Sequence, residues 1–387
     1  MKKKFDNQFF RSVLLAVLIA MGTTSVVAPV SCRLTEEGIE IIPADTIAPT
    51  VEQFQLSASN SVVLVCSEQI ALGNISVFEA DSDSVATILE ADSLDSPAFA
   101  VADTITYSED GLSAEILLSA ATAVGKSYVF SGTVYDRNGN TLDFRQKFTG
   151  YNANPAVLLF NEIRTSYEKK TQKTEFVEFY VLKEGNTSGL EFVSATSGIY
   201  EFPSIEVKRG EYITLHGRTL FAATSSAAEI KIENYADELD ARLSLSKTPD
   251  SYDSARDLWK EGSDKIAATF DVLVLRDSNT KILKDAVLLS TSSKTEWAKN
   301  KKLMKEFAEQ AFECGIWTTG ANPENAVFTN NLTVTRSISR KNTAELARRF
   351  SSSSENSACI ASSAADWIIA QSATPGYENC MTPYVKK

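Results

Sequence analysis

Short hydrophobic runs separated by turn residues fill the chain from residue 51 to residue 150. Several of the seven runs alternate apolar and polar positions, which is typical of strands that bury one face. The runs are VEQFQL, SVVLVCS, ISVFEA, DTITYS, SAEILLS, SYVFSGTVYD and DFRQKFTG. Runs of this length and spacing predict an all-β sandwich over residues 47–150.

A second set of apolar runs begins at residue 156 and predicts a second β domain over residues 154–383. Its strands include AVLLFNEIR, EFVEFYVL, EYITLHG and DVLVLRD. Two insertions lack this pattern: 235–265 is polar and acidic without β alternation, and 341–364 is rich in serine and alanine and expected to be mobile. The predicted fold class is therefore all-β, with two β-sandwich domains in tandem.

A third insertion, residues 294–316, has the period of an amphipathic helix. Trp297, Met304, Ala308, Ala311 and Phe312 fall on one face, and lysines and glutamates cover the rest. Two interpretations stay open at this point. The helix caps one end of the second sandwich, or the helix and its neighbouring loops form a face that binds a partner.

The N-terminus has the layout of an export signal. A positively charged segment with Lys2, Lys3, Lys4 and Arg11 precedes a ten-residue apolar run at 12–21. A transmembrane helix needs about 20 apolar residues, so this run is too short to span a bilayer. We therefore assign residues 1–31 to a signal peptide and residues 32–46 to a linker.

The end of the signal resembles a bacterial lipobox, because Cys32 follows Val30 and the small residue Ser31. The resemblance implies acylation of Cys32 and attachment to a membrane through the lipid, in a periplasmic or surface-exposed protein of the cell envelope. Pro29 departs from the leucine that the pattern prefers. Ordinary cleavage, or retention as an uncleaved anchor, are the alternatives.

Two segments of the first domain, SVVLVCSEQI (61–70) and VYDRNGNTLD (134–143), resemble bacterial Ig-like repeats of the S-layer, SbsA type. The second segment contains Asp136, Asn138 and Asn140, which suit either a tight turn or calcium ligation. A calcium loop of the EF type needs glutamate at its twelfth position, where this chain has Lys147. Turn chemistry is favoured, and no metal site is predicted.

The second domain resembles a lamin-tail domain. The similar motifs are NEI (161–163), EFVEF (175–179), SISR (337–340), Trp367 and TPGYEN (374–379), in the order of that family. The resemblance implies an Ig-like β-sandwich and a noncatalytic role in binding or attachment. It also accounts for Glu162, Glu175 and Glu178, which belong to its motifs.

These three glutamates are nevertheless the best candidates for chemistry, because a carboxylate cluster on neighbouring strands can hold a cation or contact a partner. Structural or solvated roles are the alternative. The chain has one histidine, His216, which excludes a His-cluster zinc site. No GxSxG, HExxH, Walker or GxGxxG motif is present, so neither catalytic residues nor cofactors are predicted.

Four cysteines remain when Cys32 is set aside, enough for two disulfides in an exported protein. Cys359 and Cys380 flank the last strand region and are the preferred pair. Cys66 lies within the apolar run VVLVC and is predicted to be a buried thiol.

The formal charge of −12 is distributed unevenly. Residues 33–133 contain 16 acidic and two basic residues, whereas the rest of the mature chain is nearly neutral. Nucleic acid is therefore an unlikely partner, although the lysines of the second domain leave it open there. The sequence predicts an exported, lipid-anchored, noncatalytic envelope protein for binding, adhesion or scaffolding, with a protein or glycan ligand. The alternatives are a metal-dependent hydrolase and an extracellular DNA-binding accessory protein.

Overall fold

The computed structural model describes most of both domains. The residues it describes are 30–35, 38–43, 45–81, 84–90, 97–168, 173–217, 254–260, 265–291, 294–298, 301–352 and 360–386. Predictions that concern residues 1–29, including most of the signal peptide, lie outside this range.

Antiparallel strands build the first domain and the hairpin that precedes it. The hairpin pairs β1 (Val30–Thr35) with β2 (Gly38–Pro43), so Cys32 lies in a strand. The domain contains β3 (Val51–Ala58), β4 (Ser61–Cys66), β5 (Ala71–Ala80), α1 (Ser84–Glu90), β6 (Ala100–Tyr107), β7 (Ser113–Leu118), β8 (Ser127–Tyr135) and β9 (Thr141–Thr149). Each of the seven predicted runs forms a strand, and the short helix α1 was not predicted.

The seven strands form one folded-over sheet in the order β3-β4-β7-β6-β5-β8-β9. Its two edges meet across the core, because Phe54 of β3 lies 5.3 Å from Phe148 of β9 between ring centroids. Phe54 also contacts Phe130 edge-on at 5.4 Å. Alternate residues of each strand supply this core, as the period-two pattern predicts.

The second domain contains thirteen of the described strands and two helices. The strands are β10 (Val157–Arg164), β11 (Phe176–Lys183), β12 (Gly185–Asn186), β13 (Leu190–Ser194), β14 (Gly198–Glu201), β15 (Glu206–Val207), β16 (Tyr212–His216), β17 (Ala255–Trp259), β18 (Asp271–Asp277), β19 (Leu283–Ser290), β20 (Val327–Phe328), β21 (Ile338–Arg340) and β22 (Trp367–Ile369). The helices are α2 (Lys302–Glu313) and α3 (Thr343–Ser352).

Two sheets of this domain face each other. Sheet I has the order β17-β16-β11-β10-β21-β22, and sheet II has the order β14-β13-β18-β19-β20. Phe160 and Phe179 of sheet I pack against Phe192 of sheet II, with centroids 6.0 Å apart in both pairs. The prediction of an all-β chain with two sandwich domains is confirmed.

Helix α2 closes one side of the second core. Met304, Phe307, Ala308 and Ala311 are buried among the residues of that core. Trp297 precedes the helix and is buried too, whereas Phe312 is 46% exposed. The helix therefore packs on the sandwich. The assignment of Phe312 to its buried face was wrong, because at about 100° per residue Phe312 lies beyond the edge of the stripe that Phe307, Ala308 and Ala311 form.

The two polar insertions contain more structure than their composition predicts. Strand β17 lies inside 235–265 and lacks alternation because all five of its residues are buried. Helix α3 lies inside 341–364 and packs Ala347 and Phe350 against Leu159 and Leu182 on the outer face of sheet I. The expectation that this insertion is mobile is wrong for 343–352.

Specific contacts join the two domains. The Asn279 side chain bonds both backbone polar groups of Thr149: Thr149 N–H donates to Oδ1 at 2.8 Å, and Nδ2 donates to Thr149 O at 2.9 Å. Gly125 N–H donates to Ser188 Oγ at 3.0 Å. Among the described residues, no helix is long and apolar enough to cross a bilayer.

Candidate functional site

Glu162 and Glu178, two of the three predicted carboxylates, face each other across the central strands of sheet I. Glu162 of β10 is paired in register with Glu178 of β11. The inward positions of β11 are Val177, Phe179 and Val181, so Glu178 lies on the outer face of the sheet. Both carboxylates are nevertheless fully buried, at 0% exposure, because the C-terminal segment covers them.

The covering segment binds the two carboxylates through its backbone. Thr374 N–H donates to Glu162 at 3.0 Å and 3.1 Å, one distance to each oxygen. Gly376 N–H donates to Glu178 Oε2. Thr374 and Gly376 belong to the TPGYEN motif, whereas Glu162 and Glu178 belong to the NEI and EFVEF motifs. One motif therefore donates the hydrogen bonds that the other two accept. We call the group Asn161, Glu162, Glu178, Thr374, Gly376 and Asn379 the closure cluster.

Side-chain donors complete the closure cluster. Asn161 Nδ2 donates to Glu178 Oε1 at 2.7 Å and to Asn379 Oδ1 at 2.9 Å. Asn379 Nδ2 lies within hydrogen-bond distance of Asn161 O, at 3.1 Å, and of Arg340 O, at 3.0 Å. Ser337 Oγ donates to Glu162 Oε1. Thr214 and Thr343 also donate, to Glu178 and to Asn161, so the partners of the cluster come from several separate segments.

Burial acts on both acids, and the charge of Glu162 acts on Glu178. Burial raises the pKa of Glu162, against hydrogen bonds from Ser337 and Thr374 that lower it. Burial and the nearby charge of Glu162 raise the pKa of Glu178 well above its ordinary value of 4.5. The pair therefore favours binding a proton, and its two titrations are coupled.

Glu175, the third predicted carboxylate, lies apart from this pair. Glu175 and Glu178 are three positions apart, and in an extended chain an odd spacing directs the two side chains to opposite faces. Its carboxylate is fully buried beside Gly217: Oε2 would lie 3.3 Å from a Cβ atom added to that glycine. The three carboxylates therefore do not converge, as a hydrolase that used all of them would require.

A buried ion pair lies beside the closure cluster. Arg340 Nη2 donates to both oxygens of Asp285, at 3.0 Å and 2.8 Å, and Nε donates to Phe160 O at 2.7 Å. The guanidinium also stacks over the ring of Trp367, with the carbon 4.5 Å from the centroid. Arg340 closes the SISR motif in sheet I and Asp285 lies in β19 of sheet II, so the ion pair links the two sheets.

His216, for which the sequence offered no partner, is bonded to Asp257. Nε2 lies 2.7 Å from Asp257 Oδ1, and the ring stacks on Trp259 with centroids 4.0 Å apart. Both side chains are fully buried, and His216 Nδ1 and Asp257 Oδ2 lack hydrogen-bond partners in the described part of the chain. The parallel pairing of β16 and β17 places these residues side by side.

The Asp136 turn has the geometry expected of turn chemistry. Asp136 Oδ1 accepts the N–H groups of Asn138, at 2.8 Å, and Asn140, at 2.7 Å. Gly139 has φ of +86°, which glycine adopts without strain. Asp45 and Glu68 bring their oxygens within 4.8 Å of Asp136. Amide donors of Asn138 and Asn140 bond Asp45 and Asp136, so these asparagines offset the acidic charge.

Two of the cysteine predictions fall on described residues. Cys66 is buried, as predicted, and burial raises the pKa of its thiol to about 11. Cys380 has a free thiol, and its disulfide with Cys359 stays a prediction. Cys359 itself lies outside the described residues.

Several residues of these polar groups escaped the sequence analysis. Asp257 was missed because its strand lies in a polar insertion. Asn161, Thr374 and Asn379 were noted as motif letters without a role, since nothing local shows that residues about 200 positions apart share hydrogen bonds. The motifs contain both the acceptors and the donors, but nothing in them shows that the glutamates are buried and therefore need donors.

Three comparisons place the chain among known proteins. An uncharacterized protein of Treponema pallidum (strain Nichols) is 29% identical over 169 residues, which are 43% of this chain and 39% of that protein. The chain thus matches less than half the length of this relative.

Among solved structures, the N-terminal part of the bacterial S-layer protein SbsC aligns with TM-score 0.23 and 15% identity. The alignment covers 63% of this chain and 44% of that chain. The S-layer protein rSbsC(31-844) aligns with TM-score 0.22 and 12% identity, over 63% of this chain and 41% of that one.

A family model described as "protein second domain" (TP_1001_2nd) matches residues 156–369. The match begins one residue before β10 and ends with β22, so it spans both sheets of the second domain. It includes Glu162, Glu178, Asp285 and Arg340, and it covers more than half of the chain. The chain therefore belongs to this family.

Proposed function

We propose that the protein is an exported, lipid-anchored and noncatalytic component of the bacterial cell envelope. In this proposal the first domain is a spacer, and the lamin-tail-like second domain binds an envelope or extracellular protein or glycan. The observation that carries the proposal is the use of Glu162 and Glu178. Both are fully buried and bonded to the C-terminal segment, so these two acids hold that segment on sheet I and are not open to a substrate.

The charge of the first domain supports the role of a spacer. Asp103, Glu109, Asp110 and Glu115 are exposed around β6 and β7. An anionic lipid surface repels such a domain, which would help to hold it away from the membrane.

The junction between the domains supports the same role. The Thr149–Asn279 bonds connect the end of β9 to the turn between β18 and β19, and the Lys147–Glu201 ion pair, at 2.6 Å, connects it to the end of β14. A spacer connected in this way presents the second domain in a fixed orientation.

Two further observations count against the alternatives. A hydrolase needs carboxylates that substrate can reach, and these three are fully buried. On α2, Lys302 and Lys305 are paired with Glu306 and Glu309, at 2.9 Å and 3.7 Å, which neutralises part of the basic surface that DNA binding would use.

Metabolic palmitate labelling of cells that express the wild type and Cys32→Ser tests the anchor. We expect labelling in the wild type, and for Cys32→Ser both the loss of the label and release from the membrane fraction. Cys66→Ser is the matched control and should keep the label. Unchanged labelling of Cys32→Ser would contradict lipid attachment at this residue.

Chemical crosslinking on intact cells, followed by purification of the full-length protein, tests the binding role. We expect a defined envelope protein or glycan to be recovered with the wild type. If denaturing purification after crosslinking recovers only this chain, the binding role is refuted.

A further inference from the structure

A cavity of about 390 Å³ lies at the junction of the two domains. Ligand sites for small molecules have volumes of about 300 Å³ upward and occur preferentially at domain interfaces. The first domain contributes Leu56 and Tyr151 to the wall, and the second contributes Leu158 and Leu190. The ends of both hydrophobic cores therefore line one space.

Two lysines of the second domain, Lys183 and Lys284, supply the charge of this cavity. Both are half-buried, and among the described residues neither ammonium has a hydrogen-bond or ion-pair partner. The acid in the wall is Asp277, whose Oδ1 already accepts Asn279 N–H and the N–H and hydroxyl of Thr280. The cavity thus combines apolar walls with an excess of unpaired positive charge.

Irregularities in both sheets place the two lysines at this cavity. In the β10–β11 ladder, Val157 pairs with Lys183 but Leu158 pairs with Val181, so Leu182 is an extra residue beside Lys183. In the β18–β19 ladder, Leu275 pairs with Asp285 and Arg276 with Leu283, so Lys284 is itself extra. Such bulges redirect side chains and are frequent next to functional sites.

The wall also has room at a backbone position. Gly189 has φ of +86°, and a Cβ on it would meet no atom within 4 Å. A ligand can therefore approach the main chain closely there.

We propose that this interdomain cavity binds a small organic acid, with a ring or short apolar body between the leucines and Tyr151 and an acid group at Lys183 and Lys284. A lysine ammonium that gains a carboxylate in a half-buried site forms a charge-assisted hydrogen bond, which is stronger than a neutral one. Because both domains form the wall, the bound acid also connects them. This inference does not depend on lipid attachment or on an envelope partner.

The test uses 1-naphthoate as the probe, and 1-naphthamide as its uncharged isostere, in calorimetric titrations of the full mature chain. We expect one naphthoate per chain, with binding by the amide at least about tenfold weaker, since one charge-assisted hydrogen bond accounts for a factor of that size. Lys183→Met and Lys284→Met keep the aliphatic stem and should each weaken naphthoate binding about tenfold. Lys208→Met, at an exposed position of the same domain, should leave it unchanged.

Three results would overturn the proposal: no binding of naphthoate at millimolar concentration, equal binding of the amide, or full affinity in the Lys183→Met, Lys284→Met double variant. Because neither lysine has a described partner, these variants should unfold at the wild-type temperature. A thermal melt of each variant checks that a loss of binding is not a loss of fold.

Discussion

The Asp285–Arg340 pair allows a quantitative test of how the motif residues stabilise the second domain. Both side chains are fully buried, and burial raises the pKa of Asp285 even against the guanidinium beside it. Removal of one member leaves the other charge without its partner in the interior, which costs about 3–5 kcal/mol. We therefore expect Asp285→Asn, which keeps the shape of the side chain and an acceptor for Phe160 N–H, to lower the free energy of unfolding by about that amount.

The partner substitution has a different pH dependence. In Arg340→Met the remaining Asp285 can take up a proton, so we expect this variant to be least destabilised at low pH. In Asp285→Asn the remaining guanidinium cannot be neutralised at any ordinary pH. The double variant leaves no charge at this buried position. Its loss of unfolding free energy should therefore be smaller than the sum of the two single losses by at least about 2 kcal/mol.

Urea unfolding followed by tryptophan fluorescence measures these values for the second domain, since all four tryptophans, at positions 259, 297, 317 and 367, lie in that domain. The exposed pair Lys302–Glu306, at 2.9 Å on α2, is the matched control. Its double-mutant cycle should give a coupling far smaller than that of Asp285 and Arg340, because water screens an exposed pair. Additive costs for Asp285 and Arg340, or a cost below 1 kcal/mol for Asp285→Asn, would refute the reasoning.

Three further predictions concern other parts of the fold. The folded pKa of Glu178 lies above its ordinary value of 4.5, so its contribution to stability is complete below pH 4.5 and is lost as pH rises through the folded pKa. Glu178→Gln should remove this part of the pH dependence of the unfolding free energy, measured by urea titrations at several pH values. An unchanged slope of unfolding free energy against pH would contradict the prediction. Trp317→Ala should cost about 3–5 kcal/mol because the side chain is fully buried, whereas Phe328→Ala, at a position 46% exposed, should cost less than about 1 kcal/mol. Asn279→Ala should increase the radius of gyration in X-ray scattering and expose residues 150–155 to proteases, whereas Asn138→Ala, at the other end of β9, should do neither.

The period-two pattern predicted the strands of the first domain because each of them has one buried face. Val62 and Leu64 are fully buried, for example, while Val63 between them is only partly buried. The pattern fails where both faces of a strand are covered. All residues of β17 are buried, and its polar members Arg256 and Asp257 find partners in Glu211 and His216, so neither alternation nor hydrophobicity marks the strand.

Prediction from the sequence was limited at the closure cluster too. Motif comparison named Glu162 and Glu178 as candidate members of one cluster, and both lie in register on the antiparallel strands β10 and β11. It could not predict that they are buried, since the cover comes from Thr374 and Gly376, about 200 residues later. Burial converts two candidate ligands for a cation into acceptors for backbone donors, and this depends on long-range packing that local sequence does not encode.

The structural role of the motif residues determines how binding studies on the second domain should be interpreted. Four of these motif residues are buried and lie in three distant segments of the chain: Asn161, Glu162, Arg340 and Asn379. Substitution of any one of them disturbs the closure of the C-terminus onto sheet I. A variant of these residues that loses a partner has therefore not identified a contact with that partner. Residues that can report contact directly are those whose side chains have no structural partner, such as Lys183 and Lys284 at the domain junction. A partner or ligand is located only by substitutions that change its affinity while the unfolding transition stays the same.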